Sequence, residues 1–120
     1  MVNVAFKAFK DHQEIMWAFY DDNHEQITEF VDLIVSTLKR AGSVYWIGNG
    51  GSAADCQHLS AELVWRFRRN RDGFRSMALT TDMSAVTAIG NDWHFDNIFE
   101  RQIRAIADPA DKWELVWKAK

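Results

Sequence analysis

Ser43-Val44-Tyr45-Trp46-Ile47-Gly48-Asn49-Gly50-Gly51-Ser52-Ala53-Ala54-Asp55-Cys56-Gln57-His58-Leu59-Ser60-Ala61-Glu62 holds three signals in sequence. Ser43 to Gly48 is short, β-branched and aromatic, and closed by glycine, which predicts a buried strand. Gly48 to Ser52 is a loop. Ala53 to about Arg68 predicts a helix. Glycines directly after a strand let the backbone approach a ligand and take positive φ. The helix behind them offers free N–H groups and the positive end of its dipole to an anion such as phosphate. Ser52 is placed to cap that helix or to donate to a phosphate oxygen. The loop matches neither the dinucleotide fingerprint nor the P-loop, since no glycine-lysine-serine/threonine follows. A tight turn that merely needs glycine remains the plain alternative.

Asp55, His58, Glu62 and Arg66 are spaced 3, 4 and 4 and predict one polar stripe; Cys56, Leu59, Leu63 and Phe67 predict the neighbouring apolar stripe, buried against the sheet. A His and a Glu four apart can share a divalent metal, and such a Glu can instead move protons. The alternative is a solvated face held by Glu62–Arg66 and Asp55–His58 pairs.

Toward the N-terminus, Val2, Phe6, Phe9, Met16 and Phe19 recur at roughly helical spacing. Asp21, Asp22 and Asn23 predict a break that caps a second helix. In that second helix Ile27, Phe30, Val31, Ile34, Val35 and Leu38 form one apolar face. Lys39 and Arg40 complement its dipole and Gly42 stops it. Toward the C-terminus, Arg69 to Gly73 is a polar turn and Ser76 to Thr80 a second strand. Ser84 to Ile89 predicts a short helix ended by Gly90-Asn91-Asp92. Ile98 to Ile106 predicts another helix, and after Pro109 Trp113 to Trp117 reads as a third strand. Strand, glycine loop, helix, strand and helix form an α/β pattern, a parallel sheet with crossover helices. The organisation expected is one domain over 1–120, with 1–42 helical and 43–120 α/β.

The 120 residues, net charge −3 and pI near 5.7 exclude the basic excess of a nucleic-acid binder. No apolar run approaches a membrane span, and no signal-peptide pattern opens the chain. Cys56 is the single cysteine, which rules out an internal disulfide and suits a cytoplasmic location. Six tryptophans point to a core or to a subunit interface.

The run GNGGSAADCQHLSAELVWRF, followed by ALTTDMSAVTAIGND and FERQIRAIADPAD, resembles the sedoheptulose 7-phosphate (phosphoheptose) isomerases of the sugar isomerase (SIS) superfamily, over about residues 20 to 111. The resemblance implies a doubly wound, three-layer α/β fold and a homo-oligomer, a tetramer. It implies conversion of a ketose sugar phosphate, sedoheptulose 7-phosphate, to the aldose D-glycero-D-manno-heptose 7-phosphate, which supplies lipopolysaccharide heptose. It further implies zinc as cofactor, with His58 and Glu62 as metal ligands and Glu62 as the catalytic acid/base. Asn49, Gly50, Gly51 and Ser52 fall in the substrate loop, Asn91 and Asp92 match a substrate-contacting pair, and Asp55 and Arg66 match polar positions of the site. The pair His58–Glu62 is expected to project into a pocket whose mouth is the glycine loop.

The sequence departs from that pattern. Trp65 stands where the family usually has glycine. After Pro109-Ala110-Asp111 the family continues with a serine/threonine-rich phosphate loop and a late helix giving a Gln and a His, neither of which is in this chain. The fold is therefore expected to be incomplete relative to the family. The competing reading is a non-catalytic SIS module that binds a sugar phosphate or a protein partner, as a relative associated with the replication initiator does.

Overall fold

The computed structural model describes residues 3–108, so the strand expected at Trp113 to Trp117 lies outside the described residues. In chain order the elements are α1 (Val4–Lys39), β1 (Val44–Trp46), α2 (Gly51–Val64), β2 (Ser76–Ala78), α3 (Met83–Asp92), a 3₁₀ turn (Phe95–Asn97) and α4 (Ile98–Ile106). Two compact units divide the chain, one up to Leu33 and one from Ile34 onward.

The described part of the first unit is helical from Val4 onward. The break expected at Asp21–Asn23 does not occur, and α1 is continuous. The Asn23 amide donates to the Phe19 carbonyl (2.9 Å), and the Thr28 hydroxyl to the His24 carbonyl (2.9 Å). Bonding one turn back keeps these side chains from competing with the helix, and no Pro or Gly intervenes. Along this stretch Phe6, Phe9, Trp17, Phe19 and Tyr20 are exposed. Trp17 and Tyr20 meet edge to face, with centroids 6.3 Å apart.

In the second unit α1 closes with the Gly42 N–H donating to the Thr37 carbonyl (2.9 Å). This is the six-to-one bond of a glycine-type stop. The left-handed residue in it is Ala41 (φ 59°), not Gly42. The chain then enters β1, which pairs parallel with β2 in the register Val44↔Ser76, Tyr45↔Met77 and Trp46↔Ala78. Both strands are three residues long, shorter than their sequence runs. Helix α2 is the crossover between them and packs on both.

The core is small. Cys56, Ala78, Leu79 and Ile98 are its buried apolar members, joined by Ser60. The face of α2 turned to the sheet is thus Cys56, Ser60 and the half-buried Ala53 and Leu63. The expected apolar stripe is half wrong: Leu59 is 42% exposed, and Phe67, beyond the helix end, is 71% exposed. A hydrogen-bonded chain explains why a serine replaces a leucine in the core. The Trp46 indole N–H donates to Ser76 Oγ (2.9 Å), whose hydroxyl donates to Ser60 Oγ (3.4 Å). One indole N–H and two hydroxyls thereby satisfy each other across β1, β2 and α2.

Helix α4 begins and ends at the expected residues. Its Gln102 amide donates to the Leu79 carbonyl (3.0 Å), latching α4 to the end of β2. Asp82 caps α3 by accepting from the Ala85 N–H (2.9 Å). That helix runs on through Gly90, Asn91 and Asp92 to a cap at Trp93, so those three residues do not end it.

Candidate functional site

The glycine loop forms as its composition dictates. A Cβ on Gly48 would lie 2.8 Å from Ser52 Cβ and from the Ser52 carbonyl oxygen, so only glycine lets the turn pass the first turn of α2. Gly50 has φ 60° and ψ −126°, a left-handed backbone that side-chain-bearing residues avoid. Gly50, not Ser52, is the N-cap of α2, and no side chain caps it. Ser52 lies inside the first turn, its N–H donating to the Asn49 carbonyl (3.1 Å). The Ala53 N–H likewise donates to the Gly50 carbonyl (3.1 Å), so two of the first amides are taken within the turn, while the positive dipole end carries no carboxylate or hydroxyl cap.

A cavity of about 110 Å³ opens beside this loop, lined by Gly48, Asn49, Gly50 and Ala53, by Thr80, and by residues of α3 and α4. It sits past the C-terminal ends of both strands, where open α/β sheets place their ligands. Thr80 was not singled out by sequence, nor were Met83, Val86, Ile98 and Phe99. The signal for Thr80 was its position: it follows β2 as Gly48 follows β1. Its hydroxyl oxygen is buried and lacks a partner.

Farther along α2, His58 Nε2 lies 3.3 Å from Glu62 Oε1. The imidazole is 75% exposed, whereas the Glu62 side chain is 34% exposed. Glu62 Oε2 is buried and has no hydrogen-bond partner. An unpaired buried carboxylate oxygen costs about 1–3 kcal/mol, so the position is not optimised for stability. The pair fits a shared metal ion: a tetrahedral ion with bonds of about 2.0–2.1 Å separates two donors by roughly 3.3 Å. Among the described residues no group of three His, Cys, Asp or Glu side chains converges. His58 and Glu62 are thus two adjacent donors, and no third His, Cys, Asp or Glu joins them among the described residues.

The remaining expected residues divide. Asp55 is exposed on the same face of α2, and His58 pairs with Glu62 rather than with it. Arg66 leaves the stripe, because α2 ends at Val64 and the Arg66 guanidinium lies over the Trp65 ring, 5.5 Å from its centroid. Trp65, 69% exposed, finds that partner instead of space in the core. Asn91 and Asp92 occupy the exposed last turn of α3, where the Asn91 amide donates to Asp92 Oδ1 (2.8 Å). Neither lines the cavity. Nor do His58 and Glu62, contrary to the expectation of one pocket. Ala53, which does, and Glu62 are nine residues apart on α2. That is about 13 Å of rise and roughly half a revolution. Ala53, which borders the loop, and Glu62 thus lie on opposite sides of one helix and about two and a half turns apart.

Cys56, buried against the sheet, has its thiol pushed above the ordinary value near 9.0, first by desolvation and then by the Asp55 charge, against a lowering backbone hydrogen bond. It is a packing residue, inert as a nucleophile.

The comparisons with known proteins agree with this architecture. The SIS domain family matches residues 9–112. The chain is 49% identical over 111 residues to a phosphoheptose isomerase of Geotalea daltonii, covering 92% of this chain and 58% of the relative. It is 44% identical to that of Aquifex aeolicus, with the same coverage. The structure of phosphoheptose isomerase GmhA from Neisseria gonorrhoeae superposes with a TM-score of 0.67 at 34% identity, over 87% of this chain and 55% of that one. The chain spans a little under three-fifths of the length of these relatives. With the family matched over most of its residues and the parallel crossover in place, the chain belongs to the SIS domain family.

Proposed function

We propose that this chain serves a phosphosugar isomerase that interconverts sedoheptulose 7-phosphate and D-glycero-D-manno-heptose 7-phosphate. The observation that carries the reading is Glu62: a carboxylate with one oxygen paired to His58 and the other buried without a partner. Moving a carbonyl between C1 and C2 needs one base that takes a proton from the carbon beside the carbonyl and returns it to its neighbour. A carboxylate with a vacant acceptor position suits that task. His58 orients it through Oε1.

The phosphate belongs at the glycine loop, where Asn49, Gly50, Gly51 and Ser52 lead the uncapped start of α2. Binding energy from that remote anion orients the reacting carbons. Asn91 and Asp92 are assigned to sugar hydroxyls. His58 and Glu62 would hold a zinc ion, which when bound polarises the carbonyl oxygen. The separation of loop and carboxylate across α2 supports a homo-oligomer, since a second copy bringing its own loop to Glu62 would complete what one chain divides. A cytoplasmic setting agrees with the reduced Cys56.

A second reading, a SIS module that binds a sugar phosphate without turnover, is favoured by the two-donor metal set. One experiment separates them. The purified chain is incubated with sedoheptulose 7-phosphate and zinc in deuterated water, and exchange at C1 and C2 is followed by NMR. Deuterium uptake that disappears in Glu62→Gln supports the isomerase. Binding without uptake supports the second reading, and absence of both refutes the sugar-phosphate assignment.

A further inference from the structure

A helix leaves its last four carbonyls without helical partners, and they must be met by caps, water or later chain. At the end of α2 the segment after it meets three of them, those of Ala61, Glu62 and Leu63. The Trp65 N–H donates to the Ala61 carbonyl (2.9 Å). Arg71 then reaches back with both arms of its guanidinium: Nη2 donates to the Glu62 carbonyl (2.9 Å) and Nη1 to the Leu63 carbonyl (2.9 Å). The Phe74 N–H adds a second bond to Leu63 (3.0 Å).

Two packing features hold that guanidinium in place. Its carbon lies 4.1 Å from the centroid of the Phe74 ring, a close stacking contact. A Cβ on Gly73 would sit 2.3 Å from the Val64 carbonyl oxygen, so glycine alone lets the strap cross the helix end at this distance. A third bond, from Nη1 to the Asp72 carbonyl (2.8 Å), folds the strap on itself. Arg71 is half-buried, unlike Arg68 and Arg69 beside it. A cation at this end also opposes the negative pole of the helix.

We propose that Arg71 is a positioning residue for Glu62. Its planar fork fixes the backbone of the turn that carries the carboxylate, and so sets where Glu62 Oε2 points. A lysine cannot reproduce this, because one ammonium does not span two carbonyls in a fixed geometry. The inference rests on the reading of Glu62 as the working carboxylate, in that the clamp then serves a site rather than stability alone.

The test uses the full chain with zinc as the probe, in four forms: unaltered, Arg71→Ala, Arg71→Lys and Ser76→Ala. The last disrupts the Trp46–Ser76–Ser60 chain away from the clamp and calibrates a plain loss of stability. Zinc affinity, thermal midpoint and hydrogen exchange at amides 62–65 are measured. Both Arg71 variants are expected to lose about 10- to 100-fold in zinc affinity, as partners behind a metal ligand do. Amides 62–65 exchange faster in both, while Arg71→Lys regains most of the thermal midpoint. Unchanged zinc affinity in Arg71→Ala, or an equal loss in Ser76→Ala, overturns the proposal. If the unaltered chain binds no zinc, the metal-site reading fails and the exchange rates judge the clamp separately: acceleration at 62–65 in both variants supports it, and unchanged rates overturn it.

Discussion

Replacing Glu62 with methionine is expected to strengthen the fold while removing metal and substrate binding. The side chain keeps its length, and two oxygens disappear. One of them, Oε2, is buried without a partner, which costs about 1–3 kcal/mol in the folded state. The other lies 3.3 Å from Nε2 of an imidazole that is 75% exposed. A pair so placed contributes no more than about 0.3–0.5 kcal/mol. The difference favours the variant by about 0.5–2.5 kcal/mol, and the thermal midpoint should rise by roughly 3–6 °C per kcal/mol in a domain of this size. Urea unfolding checks it: the midpoint concentration should increase with an unchanged slope. Function and stability oppose each other at such positions, so zinc titration of the same sample should show lost affinity. A variant less stable than the parent would falsify the argument, because Glu62 would then be a structural residue.

Ala41→Gly should stabilise the chain by about 0.5–1 kcal/mol, since Ala41 holds φ 59° at the end of α1 and glycine carries no Cβ penalty there; chemical denaturation reads it. Gly73→Ala should cost about 2–3 kcal/mol, because its Cβ must displace the Val64 carbonyl oxygen from 2.3 Å, and it should accelerate exchange at amides 62–65 as Arg71→Ala does. Cys56 gives a pH prediction. Its folded thiol titrates above the unfolded one, so the unfolded chain loses that proton first as pH rises through about 9.0. Stability from this group is complete below that pH and declines above it, and Cys56→Ala should flatten the alkaline limb of a melting-temperature profile. Alkylation by iodoacetamide at pH 8 should be far slower in folded than in unfolded chain.

The local elements were legible because short-range chemistry produces them. A β-branched run closed by Gly48 had to become a strand and a turn, and the glycine-led helix start followed from the residues themselves. Helix α4 was expected over Ile98 to Ile106 and forms over those residues. The errors came where two local rules competed. Asp21, Asp22 and Asn23 are good caps, yet Asn23 bonds back to Phe19 and the helix continues. Gly90 signals a stop, but α3 runs two residues past it.

The sequence made His58 a neighbour of both Asp55 and Glu62 on one helical stripe, and the structure pairs it with Glu62. What the sequence could not fix was which side of α2 the sheet would cover. That choice was made by Ser60, Ser76 and Trp46, whose mutual hydrogen bonds turn Cys56 and Ser60 inward and leave Leu59 out. The same choice decides that Ala53, beside the loop, lies on the sheet side of α2, while the nine-residue spacing to Glu62 already sets those two on opposite sides. Helical period dictates neighbours along the chain; packing of Ser60 against Ser76, sixteen residues on in another element, dictates what that face meets, and such a contact has no signature in local spacing.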